Sequence, residues 1–254
     1  MNKYMHFSFD NVIENFIDIN KNSDNYKSVF DNLFFGDLKY IHDKYGAVFT
    51  INCVIKGDGY NISEITDKYR KDFLQSSDWL KFAFHSKDIY SKYSEDVLDI
   101  KEQYKTFTDS IIKIAGENSI DTVIRLGYYT GTLNNIKALK CCDYGIEGFL
   151  TADDGRQINY YLNDAQIKEL SANNFWYDKE NDLYAIPTQT RLEKVENIDF
   201  DFKKISDKIN NRTVIVEIFT HEHCYDKEKL LKYVKWAYEN KYIFDFAKNH
   251  FNEL

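Results

Sequence analysis

Residues able to do acid–base or ligand chemistry stand where short apolar runs of this sequence end. Asp10 closes the alternating run 5–10, and His85 follows the run 79–84. Arg125 sits inside the β-branched run 122–126, Asp153 and Asp154 follow 145–151, and His221 and His223 close 214–220. A carboxylate, imidazoles and a guanidinium brought together could move protons, ligate a metal ion and hold an oxyanion. Each position alone has a plainer reading. Asp10 or Asn11 could cap a helix, and His85 with Ser86 could close a strand. Residues 221–223 lack the helical spacing of an HExxH motif, and Asp154 with Gly155 makes a common turn pair. Arg125 is harder to dismiss, because a guanidinium in a β-branched strand must be paired or reach a cleft.

The elements that would position these residues alternate. Residues 29–45 place Val29, Leu33, Phe34, Leu38 and Ile41 at helical spacing, Gly46 ends that helix, and 47–55 reads as a strand. A helix is expected over 62–74, and another over 94–115 with Ser94 as its N-cap. A strand at 122–126 and a helix at 133–142 come next. A short strand over 145–151, a strand over 214–220 and a last helix capped by Asp226 complete the series. Strands alternating with helices predict parallel βαβ units: an α/β fold, a closed or nearly closed β/α barrel, with an open doubly wound sheet as the competitor. The stretch 153–209 breaks the rhythm with two hairpin-like strands and the lone Pro187, and reads as an insertion on one barrel spanning 1–254.

Composition narrows the function classes. The chain has 254 residues with 33 Lys and Arg against 41 Asp and Glu, a formal charge of −8. That balance argues against a nucleic-acid groove, which needs a dense basic face. Residues 1–10 lack an apolar core and a cleavage site, and no apolar run reaches membrane-spanning length. Cys53, Cys141, Cys142 and Cys224 form no CxxC pair. A cytoplasmic protein with free thiols is the expectation. No GxGxxG, P-loop or GxSxG motif is present.

Taken in order, these runs resemble the motifs of the polysaccharide deacetylases of the NodB-homology group. Residues 7–11 (FSFDN) resemble the first motif, usually a strand ending in two aspartates. Residues 45–52 (YGAVFTIN) resemble the second strand, and 79–86 (WLKFAFHS) the strand leading to the His-Ser/Thr-x-x-His motif. Arg125 resembles the arginine of the next motif, and 218–222 (IFTHE) the late motif that supplies a histidine. The resemblance covers about residues 5–240. It implies a distorted (β/α)7-type barrel and a divalent metal, usually zinc, whose bound water attacks an N-acetyl carbonyl of a saccharide. Residue by residue it makes Asp10 the catalytic base, Arg125 its orienting partner and His221 the general acid. It makes His85 and Asn11 metal ligands, with His223 able to replace a missing one. Surface-polysaccharide metabolism is the implied setting, with a saccharide as partner and no nucleic acid or membrane span. Tyr128 with Tyr129 and Tyr160 with Tyr161 offer flat faces for a sugar ring, though such tyrosines more often pack a core. Tyr90 is a further substrate-binding candidate, and Asp153 and Asp154 could stand at the rim.

The departures are specific. Asn11 is neutral where the family has a carboxylate, and Ile89 stands where the second metal histidine should be. A catalytic zinc normally has three protein ligands. The alternative is therefore a barrel that has lost its chemistry and serves as a glycan-binding or assembly component. A metal-independent glycosidase would instead need a second carboxylate across the cleft from Asp10. If Asp10 is an ordinary cleft residue, replacing it should cost little stability.

Overall fold

A computed structural model of the chain describes residues 2–93, 96–152, 159–208 and 214–254. Seven parallel strands carry the architecture: β1 (Lys3–Val12), β2 (Phe49–Val54), β3 (Leu80–Ser86), β4 (Val123–Ile124), β5 (Gly148–Thr151), β6 (Leu183–Arg191) and β7 (Val214–His221). They hydrogen-bond in the order β3–β2–β1–β7–β6–β5–β4. The two outer strands meet through a parallel bridge between Phe82 and Ile120, extended by the Asp121 amide donating to the Phe82 carbonyl at 2.8 Å. The sheet is thus a nearly closed, distorted (β/α)7 barrel.

Alternation along β1 shows why it closes this way. Phe7 and Phe9 turn outward; Phe9 meets the ring of Phe34 edge-on at 5.0 Å. His6, Ser8 and Asp10 turn inward, the opposite faces of one pleated strand. Polar groups entering a barrel interior must find partners there. His6 pairs through Nδ1 with Glu217 on β7 at 2.9 Å and through Nε2 with Thr50 on β2 at 2.9 Å. Thr50 in turn donates to Asp121 at 2.6 Å. Above this layer lie Ser8, Asp10, Asn52, Arg125 and Thr188, all buried.

Helices cover the outside. The principal ones are α1 (Glu14–Lys21), α2 (Leu33–Tyr45), α3 (Arg70–Gln75), α4 (Val97–Ala115), α5 (Leu133–Lys140), α6 (Asp164–Asn173), α7 (Ile198–Lys208) and α8 (Lys227–Glu239). α2 is capped by Asn32 and ends on Gly46 at φ +74°, the left-handed C-terminal geometry. Asp226 caps α8 as its sequence indicates. The helix expected over 62–74 is two short pieces, a 3-10 turn Ile62–Glu64 and α3, because Asn61 and Glu64 form a capping box that closes the first turn on itself. α4 is capped by Asp96, whose side chain accepts from the amides of Leu98 and Asp99. The expected cap Ser94 lies outside the described residues. The expected insertion contains α6 and a hairpin pairing Trp176–Asp178 with Leu183–Ala185, and its second strand continues as β6 of the barrel. Among the described residues, no helix is long and apolar enough to cross a membrane.

Candidate active site

The C-terminal ends of the strands frame a cavity of about 250 Å³ lined by Asp10, Asn11, His85, Arg125, Tyr128, Arg191, Phe219, His221 and His223, among others. Asp10, His85, Arg125 and His221 thus reach one pocket from β1, β3, the end of β4 and β7. Parallel β/α barrels gather distant residues in this manner, because their strands all end on one face. Asn11 arrives through a local irregularity. Its φ is +64°, and the β1–β2 register shifts between Phe9 and Val12. That kink puts Asp10 and its neighbour Asn11 on the same cavity.

Asp10 is 2% exposed and tightly held. Its Oδ1 accepts from Arg125 at 2.8 Å and from the Asn52 amide at 2.7 Å. Burial works to raise its pKa, but the Arg125 guanidinium and, behind it, His85 and His221 hold the carboxyl below the usual range. Arg125 is itself buried. It also donates to Ser8 at 2.9 Å and Thr188 at 3.2 Å, and lies over the Phe219 ring at 4.3 Å. Among the described residues Arg125 Nε and Asn52 Oδ1 find no hydrogen-bond partner, a cost that polar cavities retain.

The histidines are fixed as tautomers. His85 Nδ1 donates to the Arg125 carbonyl, which leaves Nε2 with the lone pair. Burial is the main reason its pKa falls below the ordinary histidine value, so the neutral ring is favoured. His221 Nδ1 donates to Glu193 Oε1 at 2.6 Å. Arg191 Nε donates to the same oxygen. Although burial opposes ionisation, these hydrogen bonds bring the Glu193 carboxyl down to about 2. Glu222 has a structural role. It is buried and accepts from the amides of Ile13 and Glu14 at 2.9 Å and Asn15 at 2.8 Å, capping α1 from the end of β7.

Several expectations need correcting. Among the described residues, no group of three His, Cys, Asp or Glu side chains converges to hold a metal ion. His85 and His223 do line the pocket, but Asn11 offers a neutral amide, Ile89 offers nothing, and Arg125 and Asn52 already occupy Asp10 Oδ1. The donor set does not fit a resident zinc. Asp10 is the only carboxylate among the described residues lining this cavity. Tyr128 lies on the rim, 47% exposed, whereas Tyr90 lines an adjoining cleft and is 76% exposed. Tyr129 is buried yet lines the cavity, whereas Tyr160 is buried and donates to the Leu150 carbonyl, so it packs the barrel. Asp153 and Asp154 lie outside the described residues. Sequence reasoning missed Arg191 and Glu193 because Arg191 ends a strand that the sequence pattern places in the insertion, and it read Asn52 and Phe219 only as members of their strands.

No family model matches the chain, and neither does any curated protein. Solved structures do. A protein assigned as a polysaccharide deacetylase from Mycobacterium smegmatis superposes with a TM-score of 0.64 at 9% identity, over 100% of this chain and 91% of that one. A family 4 acetyl xylan esterase from Clostridium thermocellum, in complex with a cobalt ion, gives 0.55 at 13% identity, over 98% and 91%. The chain has the polysaccharide-deacetylase fold. A 4-alpha-glucanotransferase from Thermococcus litoralis also superposes, at 0.62 and 12% identity, and this chain spans 41% of its length. The deacetylase barrel is thus a scaffold that other carbohydrate chemistry shares, and the site must decide between activities. In this deacetylase-fold chain, an amide and an isoleucine, Asn11 and Ile89, stand at the two positions where the resemblance implies metal ligands.

Proposed function

We propose that the chain is a deacetylase-fold barrel, acting as one domain, that binds an acylated saccharide without hydrolysing it through a resident metal. The observation that carries this reading is the depleted ligand set around His85, with the Asp10–Arg125 pair held as an orienting contact. The Asp10 carboxylate is buried in hydrogen bonds to Arg125 and Asn52, beside a neutral Asn11 and an Ile89 that cannot ligate. What remains suits recognition. Asn11, Arg191 and the Nε2 atoms of His85 and His221 offer hydrogen bonds to hydroxyl or acyl oxygens, and Tyr128 and Tyr90 offer ring faces. His223 adds an imidazole to the same wall. In this reading Arg125 positions Asp10, and the handling of a surface-polysaccharide precursor in the cytoplasm is the context.

The hydrolytic reading keeps one observation in its favour: the Glu193–His221 pair orients an imidazole as acid–base catalysts require. Metal content separates the two. Purified protein incubated with zinc, cobalt or manganese and then desalted is expected to hold far less than one ion per chain. The double variant Asn11→Asp with Ile89→His is expected to gain binding. Near-stoichiometric metal in the unmodified chain would overturn the binding-only reading.

A further inference from the structure

One wall of the cavity is built from the ends of β6 and β7 and carries Arg191, His221 and His223 in a row. Arg191 Nη2 lies 3.3 Å from His221 Nδ1, and the two imidazole rings are 5.6 Å apart. The negative groups nearby are already matched. Asp10 is bound by Arg125, and Glu193, set behind the wall, accepts from Arg191 and His221 through a single oxygen. In a chain of net charge −8, the cavity presents two guanidiniums and three imidazoles against one carboxylate among its described lining residues. A neutral sugar can hydrogen-bond to this wall but cannot make a charge-assisted contact with its guanidinium. An anion would meet a guanidinium fork that, among the described residues, Glu193 engages at Nε, together with imidazole nitrogens that face the cavity.

We propose that the saccharide taken by this pocket carries an anionic group, a carboxylate or a phosphate, seated against Arg191, His221 and His223. This inference rests on the saccharide-binding reading above. Asp10, on the neighbouring strand, would then face the uncharged part of the sugar, where Oδ2 can accept from a hydroxyl.

Calorimetric titration of the whole chain with glucose, glucuronate, glucose 6-phosphate and inorganic phosphate tests it. One of the two anionic sugars is expected to bind at least about tenfold tighter than glucose, as a charge-assisted contact allows, and which one does so identifies the anion. Arg191→Gln should remove that preference, and Arg191→Lys should restore part of it. Equal affinity for glucose and both anionic sugars would overturn the anionic proposal while leaving saccharide binding intact. Binding of inorganic phosphate with no sugar bound would uphold the anionic wall and sink the saccharide reading. No heat with any of the four ligands would overturn both.

Discussion

Asp10 and Arg125 are each almost wholly buried, and among the described residues each is the other's only opposite charge within hydrogen-bond distance. Removing one leaves an uncompensated charge inside the barrel, which typically costs about 3–5 kcal/mol. Arg125→Met and Asp10→Ala are therefore expected to lower stability by about that much in urea unfolding, with Arg125→Lys losing less. The sequence alone suggested that Asp10, as a cleft residue, could be replaced cheaply; its burial against Arg125 reverses that. Losses under about 1 kcal/mol in both variants would show that water reaches the pair. His6 supplies a second test of the interior. Burial alone would lower its pKa, but the Glu217 carboxylate outweighs burial and holds it above the ordinary value. A raised folded-state value means that the pair's stability is fully present below about pH 6.5 and is lost as pH rises through the folded value. His6→Gln should accordingly cost more at pH 6 than at pH 9. An equal cost at both would mean that the ring is neutral throughout.

At the scale of elements, β1, β2 and β7 were legible because their side chains alternate cleanly and because β-branched residues cluster in them. Two strands were not. β4 is only Val123–Ile124, too short to show a period, and Arg125 marks it better than its apolar residues do. β6 contains Pro187 and the polar series Thr188, Gln189 and Thr190, all buried: Thr188 accepts from Arg125, Gln189 accepts from the Glu217 amide of β7, and Thr190 donates to Asp201 of α7. That composition looks like a loop until the interior is known to be polar, and it concealed Arg191 and Glu193. Helix ends were read better than helix middles, since a cap is a local signal. Gly46 illustrates this: its φ is +74° and no atom lies within 4 Å of the position a Cβ would take, so its requirement is conformational alone. Gly46→Ala should cost about 1 kcal/mol in thermal or urea unfolding, without altering ligand binding. A neutral or stabilising result would mean that α2 does not end on a left-handed residue.

Across the whole molecule, one pocket depends on strands from both ends of the chain, so the barrel must be intact for any ligand to bind. Val216 is buried on β7 beside Met5 of β1. Val216→Asp, which places an unpaired carboxylate there, should lose several kcal/mol and the pocket with it. The arrangement of the four polar strand ends was legible from their order along the chain. Whether they would bind metal was not, because that depends on which atoms are left free: Arg125 holds Asp10 Oδ1, whereas among the described residues His85 and His221 are engaged only through Nδ1. On the proposed reading, the pocket recognises a saccharide through these side chains and needs no metal ion to bind it. The most direct test titrates an acetylated, acidic oligosaccharide into the protein by calorimetry, once with a strong chelator and once with excess zinc. The same affinity in both, with no acetate released, is the predicted result. Binding or acetate release that occurs only with zinc would contradict it.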